Sequence, residues 1–234
     1  MNQDKGSLFL IPCPVADKKI SSLSREALDV LHGITHFIVE RAKTARHFIK
    51  DAGHPVPLPE LFIHEITDDN RANEAFLHSL LSGINIGVIS EAGCPCIADP
   101  GSVLVLWAHK HGIRVVPLVG PSSILLALMA SGMNGQNFAF NGYLSNKKPE
   151  LSAQLKQLEN KVNKSNQTQI WMETPYRNQF MIETCMLVLN NTTLLCIACD
   201  INCDTEDIQT QTVGEWKKTK TDHYHKRLCI YLMG

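Results

Sequence analysis

The chain has 234 residues, 44% of them hydrophobic and 19% charged, with a formal net charge of -1. That length suits one large domain or two of about 115 residues each, with apolar residues enough for a core and no low-complexity tract. A protein-wide basic field for nucleic acid is absent, although short basic clusters stand at 146–148, 217–220 and 225–227.

An apolar run at 8–11, stopped by Pro12 and Pro14, predicts a buried strand. It is too short for a signal h-region or a membrane span, so the expectation is a cytoplasmic protein with no membrane association. Helix formers at 24–31 precede Gly33, and 36–39 reads as a second strand ending at Glu40. A helix at 44–50, a proline-rich loop at 55–59, a strand at 61–63 and a helix at 73–81 follow. The fourth strand covers 84–90. A Gly- and Pro-rich loop at 91–101, a helix at 102–111 and a strand at 113–116 complete the first half. This alternation implies βαβ units and a mainly parallel sheet.

Pro117 and Pro121 bracket the expected boundary, giving an N-terminal α/β domain at 1–118 and a C-terminal α/β domain with a mixed sheet at 119–234. The second half reads as a helix at 122–130, a strand at 138–144 and a helix at 151–161. A strand at 169–172, a helix at 178–189 and a strand at 194–200 come next. Later strands at 209–213 and 228–233 are expected to pair antiparallel. Of the eight cysteines, Cys196 and Cys199 form a C-x-x-C pair without a matching second pair of zinc ligands. They read as buried thiols on a strand; no metal site and no disulfide framework is expected.

In open α/β sheets, ligands bind outside the carboxyl ends of the strands. Four loops leave such ends: Pro12-Cys13-Pro14-Val15-Ala16-Asp17, the 91–101 loop, Val119-Gly120-Pro121-Ser122-Ser123, and Glu173-Thr174-Pro175 after Trp171-Met172. In the second, small residues admit a ligand close to the backbone, and prolines preorganise the shape. Ser102 then opens a helix whose amides either favour an anion or are simply capped. Ser122 reads as a helix N-cap, leaving Ser123 as a second hydroxyl. Neither G-x-G-x-x-G after the first strand nor a Walker A sequence is present.

The stretch G-V-I-S-E-A-G-C-P-C-I-A-D-P-G, followed by I-R-V-V-P-L-V-G-P-S-S, resembles the tetrapyrrole methylase superfamily. Within it, the chain is most similar to the bacterial small-subunit ribosomal RNA cytidine 2′-O-methyltransferases, which carry S-D-A-G-T-P-x-I-x-D-P-G and a later P-G-P. The opening L-F-L-I-P-C-P-V-A-D and the strand I-W-M-E-T-P-Y-R resemble two further motifs of that branch. The resemblance runs in order from about residue 8 to 180. It implies a two-domain α/β tetrapyrrole-methylase-like fold, a homodimer, and S-adenosylmethionine in the interdomain cleft. By motif position, Pro14, Gly93, Cys94, Ile97, Ser122 and Ser123 would line the cofactor site. Glu173 would contribute its main chain, and Ile201 would follow from the loop after Cys199.

Three segments depart from the branch. Glu40-Arg41-Ala42-Lys43 stands for E-D-T-R, Ala198-Cys199-Asp200-Ile201-Asn202-Cys203 for A-R-E-L-T-K, and His225-Lys226-Arg227 for K-G-E. The resemblance implies an S-adenosylmethionine-dependent methyltransferase acting on a ribosomal RNA ribose 2′-hydroxyl or a related acceptor, with ribosomal RNA or the small subunit as partner. The alternatives are a methylase of a tetrapyrrole or other small molecule, and a non-catalytic S-adenosylmethionine-binding protein. Methyl transfer from a sulfonium needs no metal; a hydroxyl acceptor gains from a general base. Glu40 is the candidate base, or else an ion-pair partner of Arg41 or Lys43, and Glu91 is a second candidate. Lys147 and Lys148 are expected in a loop that meets the RNA.

Overall fold

A computed structural model describes residues 5–67 and 70–234. The chain forms two units, Met1–Ser122 and Ser123–Gly234. The division falls a few residues beyond 118 because the intervening segment is held by the first unit: the Leu118 N–H donates to the Leu10 carbonyl at 3.2 Å.

The first unit alternates β1 (Ser7–Ile11), α1 (Arg25–His32), β2 (His36–Val39), α2 (Ala42–Asp51), β3 (Phe62–Glu65), α3 (Asn70–Leu77), β4 (Ile86–Ile89), α4 (Ser102–Lys110) and β5 (Arg114–Pro117). Its strands lie in the order β3-β2-β4-β1-β5, and every pairing is parallel. Such a sheet must be covered on both faces. On one face, Ile11, Phe37, Val39 and Ile89 pack against Ala27 and Leu31 of α1 and Ala45 and Ile49 of α2. On the other, Leu8, Ile38, Ile86 and Val88 meet Leu77 of α3 and Leu104, Trp107 and Ala108 of α4. Ser24 caps α1, its hydroxyl accepting from the Ala27 N–H at 3.1 Å. The helix expected to run through 81 ends at Leu77 and tightens into a 3-10 turn, His78–Ser82, before Gly83 at φ 87°.

The second unit contains α5 (Ser123–Ser131), β6 (Phe138–Tyr143), α6 (Lys148–Ser165), β7 (Thr168–Glu173), α7 (Asn178–Val188), β8 (Leu194–Cys199), β9 (Asp207–Thr212), α8 (Val213–Trp216) and β10 (Cys229–Met233). The order is β6-β7-β10-β8-β9. β6 and β7 are parallel. β10 runs antiparallel to β7 and β8, and β9 antiparallel to β8. α6 and α7 bury Leu151, Leu155, Met181 and Ile182 against Trp171, Leu195, Ile197 and Tyr231. α5 covers the opposite face through Ile124, Ala127 and Leu128.

Three sequence expectations change here. α6 starts at Lys148 rather than 151, since Pro149 is tolerated in a first turn. β9 stops at Thr212, whose side chain forms a capping box with Glu215 and turns Val213 into a helix. The buried-thiol reading fails at Cys199, which is disulfide-bonded to Cys229. The two are register partners on adjacent antiparallel strands, which puts their Cα atoms 4.3 Å apart. Cys196 remains a buried free thiol. Strand alternation sends it to the α5 face and Cys199 to the other, so C-x-x-C on this strand cannot converge on one ion.

Candidate functional site

All five strands of the first sheet end at one edge, and the chemistry-bearing loops collect there. The loop after β1 and the loop after β4 are joined by an isolated bridge. The Cys13 N–H donates to the Gly93 carbonyl at 2.8 Å, and the Gly93 N–H to the Cys13 carbonyl at 3.1 Å. The loop after β5 joins them: the Cys94 thiol donates to the Pro121 carbonyl at 3.4 Å. Gly93 has φ +68°, and a Cβ there would stand 3.6 Å from both the Pro121 oxygen and Val15 Cγ1. The position therefore demands glycine's backbone freedom more than its smallness. Gly120 is the reverse case, because its Cβ would lie 2.1 Å from Pro12 Cβ. The Cys13 thiol, donating to the Ser90 carbonyl at 3.3 Å, is pushed upward by burial and by Asp99.

Two cavities adjoin the bridge. One, of about 500 Å³, is apolar and lined by Leu10, Cys94, Ile97, Val105, Leu106 and Leu118. The other, also about 500 Å³, is polar and lined by Pro14, Asp17, Thr44, His47, Asp51 and Glu91. Each is of a size that holds a small ligand. Of the residues read from sequence, Gly93, Cys94, Ile97 and Pro14 gather at this edge. Ser122 is the last residue of the first unit, and Ser123 opens α5 in the second.

A carboxylate group flanks the polar side. Glu40 follows β2, and its Oε2 accepts from the Glu91 N–H at 3.2 Å. Arg41 pairs with Glu91, Nε to Oε2 at 3.5 Å, rather than with Glu40. Thr44 donates to Glu91 Oε1 at 3.1 Å. Asp99, not singled out from the sequence, has its pKa pushed up to about 6 by burial first, then by Glu40 and Glu91, with a Ser90 hydrogen bond opposing. A carboxyl in that range is poised to exchange a proton near neutrality. The D-P-G at 99–101 was the available signal. Thr44 and His47 were legible as neighbours on one helix face.

In the second unit, Glu173 ends β7, and Ile201 follows β8. Cys229 lies between, paired in register with both Glu173 and Cys199, so the three strand ends share one edge. The Glu173 side chain is buried; its Oε2 lies 2.9 Å from Arg177 Nη2 and its Oε1 accepts from the Thr174 N–H at 2.7 Å. Ile201 packs into the core beside Ile124 and Ile230. Only their main chains are suited to a ligand. Lys147 stands in the exposed loop before α6, ion-paired to Glu150 at 3.1 Å, whereas Lys148 is the first residue of the helix.

No family model matches the chain. It is 30% identical over 209 residues to ribosomal RNA small subunit methyltransferase I of Vibrio cholerae, covering 89% of this chain and 69% of that protein. The Escherichia coli O157:H7 protein of the same name is 29% identical over 236 residues, covering 100% of this chain and 79% of the relative. This chain belongs to the ribosomal RNA small subunit methyltransferase I family. It is an enzyme, a methyltransferase, and S-adenosylmethionine is its methyl donor. The fold is that of the tetrapyrrole methylases. The methyltransferase CobJ matches with a TM-score of 0.63 at 16% identity, over 98% of this chain and 94% of that one. Uroporphyrin III C-methyltransferase from Thermus thermophilus gives 0.60 at 14%, over 98% and 97%.

The residues at the first edge fit that donor. The bridge leaves the backbone at Gly93 without a side chain, and the adjoining cavity presents Ile97, 53% exposed, as an apolar wall. Among the described residues, no group of three or more His, Cys, Asp or Glu side chains is arranged to hold a metal ion. No helix among them is long and apolar enough to cross a membrane.

Proposed function

We propose that this enzyme methylates a ribose 2′-hydroxyl of small-subunit ribosomal RNA, in the cytoplasm and as a homodimer. The observation that carries the reading is the meeting, at one sheet edge, of a small-residue loop and a carboxylate cluster in a chain of this family. S-adenosylmethionine, when bound, supplies an electrophilic methyl on a sulfonium. Pro14, Gly93, Cys94, Ile97, Ser122 and Ser123 hold it in this reading, and the main chains of Glu173 and Ile201 enter through the family resemblance. The cross-linked loops keep this geometry fixed, so little ordering remains when the reactants bind.

Glu40 is the proposed proton acceptor for the hydroxyl. Its Oε2 is oriented by the Glu91 amide, and Arg41 is drawn away from it by Glu91, which leaves its charge unneutralised by that guanidinium. Asp99 holds a proton more readily than an ordinary carboxyl and so limits the negative charge beside Glu40. Val103 and Leu106 of α4, 51% and 60% exposed, offer apolar surface to a second copy; sedimentation that finds only monomer would remove the dimer.

The test is transfer of labelled methyl to small ribosomal subunits that lack the modification. The expected product is one ribose-methylated nucleotide, resistant to alkaline cleavage on its 3′ side. A protein that binds the donor but labels only a small heterocycle would overturn the RNA reading.

A further inference from the structure

Helix α2 has an unusual surface. From Arg41, which precedes it, to its last residue, Asp51, the segment holds four cations, Arg41, Lys43, Arg46 and Lys50, against the single acid Asp51, in a chain whose overall charge is -1. Ala45 and Ile49 are buried, and all four cations are exposed. At 100° per residue, Lys43, Arg46 and Lys50 fall within about 60° of one another, a stripe beside the buried face. Arg41 pairs with Glu91; among the described residues, Lys43, Arg46 and Lys50 make no ion pair. The next strip of the helix is Thr44, His47 and Asp51, which lines the polar cavity. A positive track therefore runs alongside the cavity that adjoins Glu91 and, through its amide, Glu40.

We propose that the exposed face of α2 is the track that grips the phosphodiester backbone of the RNA and leads the acceptor nucleotide into the polar cavity. The proposal rests on the RNA reading above. Lys43 and Lys50 are about 10 Å apart along the helix, enough to address more than one phosphate. Three cations on one packed helix form a local field that the neutral whole does not cancel at short range. A track is also a different device from the pairs at Lys147 and elsewhere, where a neighbouring carboxylate already takes the charge.

The test compares Arg46→Glu with Lys50→Glu, made together, against Lys161→Glu with Lys164→Glu on the exposed side of α6. Both double variants carry the same charge change. Binding to naked small-subunit RNA and to intact subunits is measured against salt, with donor affinity by calorimetry and melting as controls. The α2 variant should bind naked RNA at least tenfold more weakly, and the slope of log affinity against log salt should flatten by about 1.4, roughly 0.7 per lost phosphate contact. Donor affinity and melting should be unchanged, and the α6 variant should match the parent. Parent-like RNA affinity and slope in the α2 variant would overturn the track while leaving the RNA reading intact. Loss of subunit binding with naked-RNA binding unchanged would also overturn it, assigning the face to an acidic protein surface. A parent enzyme that neither binds nor methylates RNA would overturn both.

Discussion

The two units are both five-stranded sheets covered by helices, yet they spend their strand ends differently. In the first, all strands run one way, so every carboxyl-end loop leaves from one edge, and three of those loops are tied together through Cys13, Gly93, Cys94 and Pro121. In the second, β9 and β10 run against the other three strands, so its loops divide between two edges. Its β8 and β10 ends are held by a covalent bond between Cys199 and Cys229, backed by the Asp200 N–H donating to the Leu228 carbonyl at 2.9 Å and Arg227 Nε donating to the Asp200 carboxylate at 2.8 Å. A parallel sheet concentrates reactive backbone at one place, and a mixed sheet disperses it.

The largest break should come in the second unit. The bridge closes a separation of 30 residues, which chain-entropy reasoning values at about 3–4 kcal/mol. Cys199→Ala with Cys229→Ala should lower the urea midpoint accordingly, and reductant should lower it only in the parent. Equal midpoints with and without reductant would mean that the bond contributes nothing. In the first unit, Gly120→Ala places a Cβ 2.1 Å from Pro12 Cβ. Overpacking of that kind costs about 1–3 kcal/mol and should spread two of the tied loops, with donor affinity falling more than tenfold by calorimetry.

Gly93→Val is milder for the fold, since its Cβ would meet Pro121 and Val15 at an ordinary 3.6 Å, but a left-handed φ costs a branched residue about 1–2 kcal/mol. The protein should stay folded and lose donor binding; normal affinity would reduce Gly93 to a turn residue. Asp99→Asn should leave the fold in place and show itself in the pH dependence of stability. Because folding raises the Asp99 pKa from 3.8 to about 6, the folded state binds its proton more tightly than the unfolded state. Its contribution is full below the unfolded value and is lost as pH rises through about 6. The melting temperature of the Asn variant relative to the parent should therefore climb between those limits. A difference that is flat with pH would show that Asp99 titrates as an ordinary carboxyl.

The element order was legible because hydrophobic runs, glycines and prolines act locally: β2 appears at the expected 36–39, and every strand was anticipated within a few residues. The small-residue loops were legible for the same reason. What lay hidden were pairings between distant positions. Cys13 finds Gly93 across 80 residues, and Cys199 finds Cys229 only because β10 inserts beside β8. The Asp99 pKa is raised first by burial and then by Glu40, which comes from a different strand end. The basic stripe on α2 was written in the sequence at 43, 46 and 50, but isolated lysines carry meaning only once the neighbouring cavity is known.

The place of β10 sets a timetable for synthesis. It follows the other four strands of the second sheet in chain order, yet it sits in the middle of that sheet, hydrogen-bonded to β7 on one side and β8 on the other. The first sheet uses no residue beyond 117 and can close while the rest of the chain is still being made. β7 and β8 must instead wait, with the edges that face each other unpaired, until residues 229–233 clear the ribosomal tunnel. A nascent chain stalled before that point would carry a closed sheet in one unit and two open strand edges in the other, which exposes it to pairing with other chains.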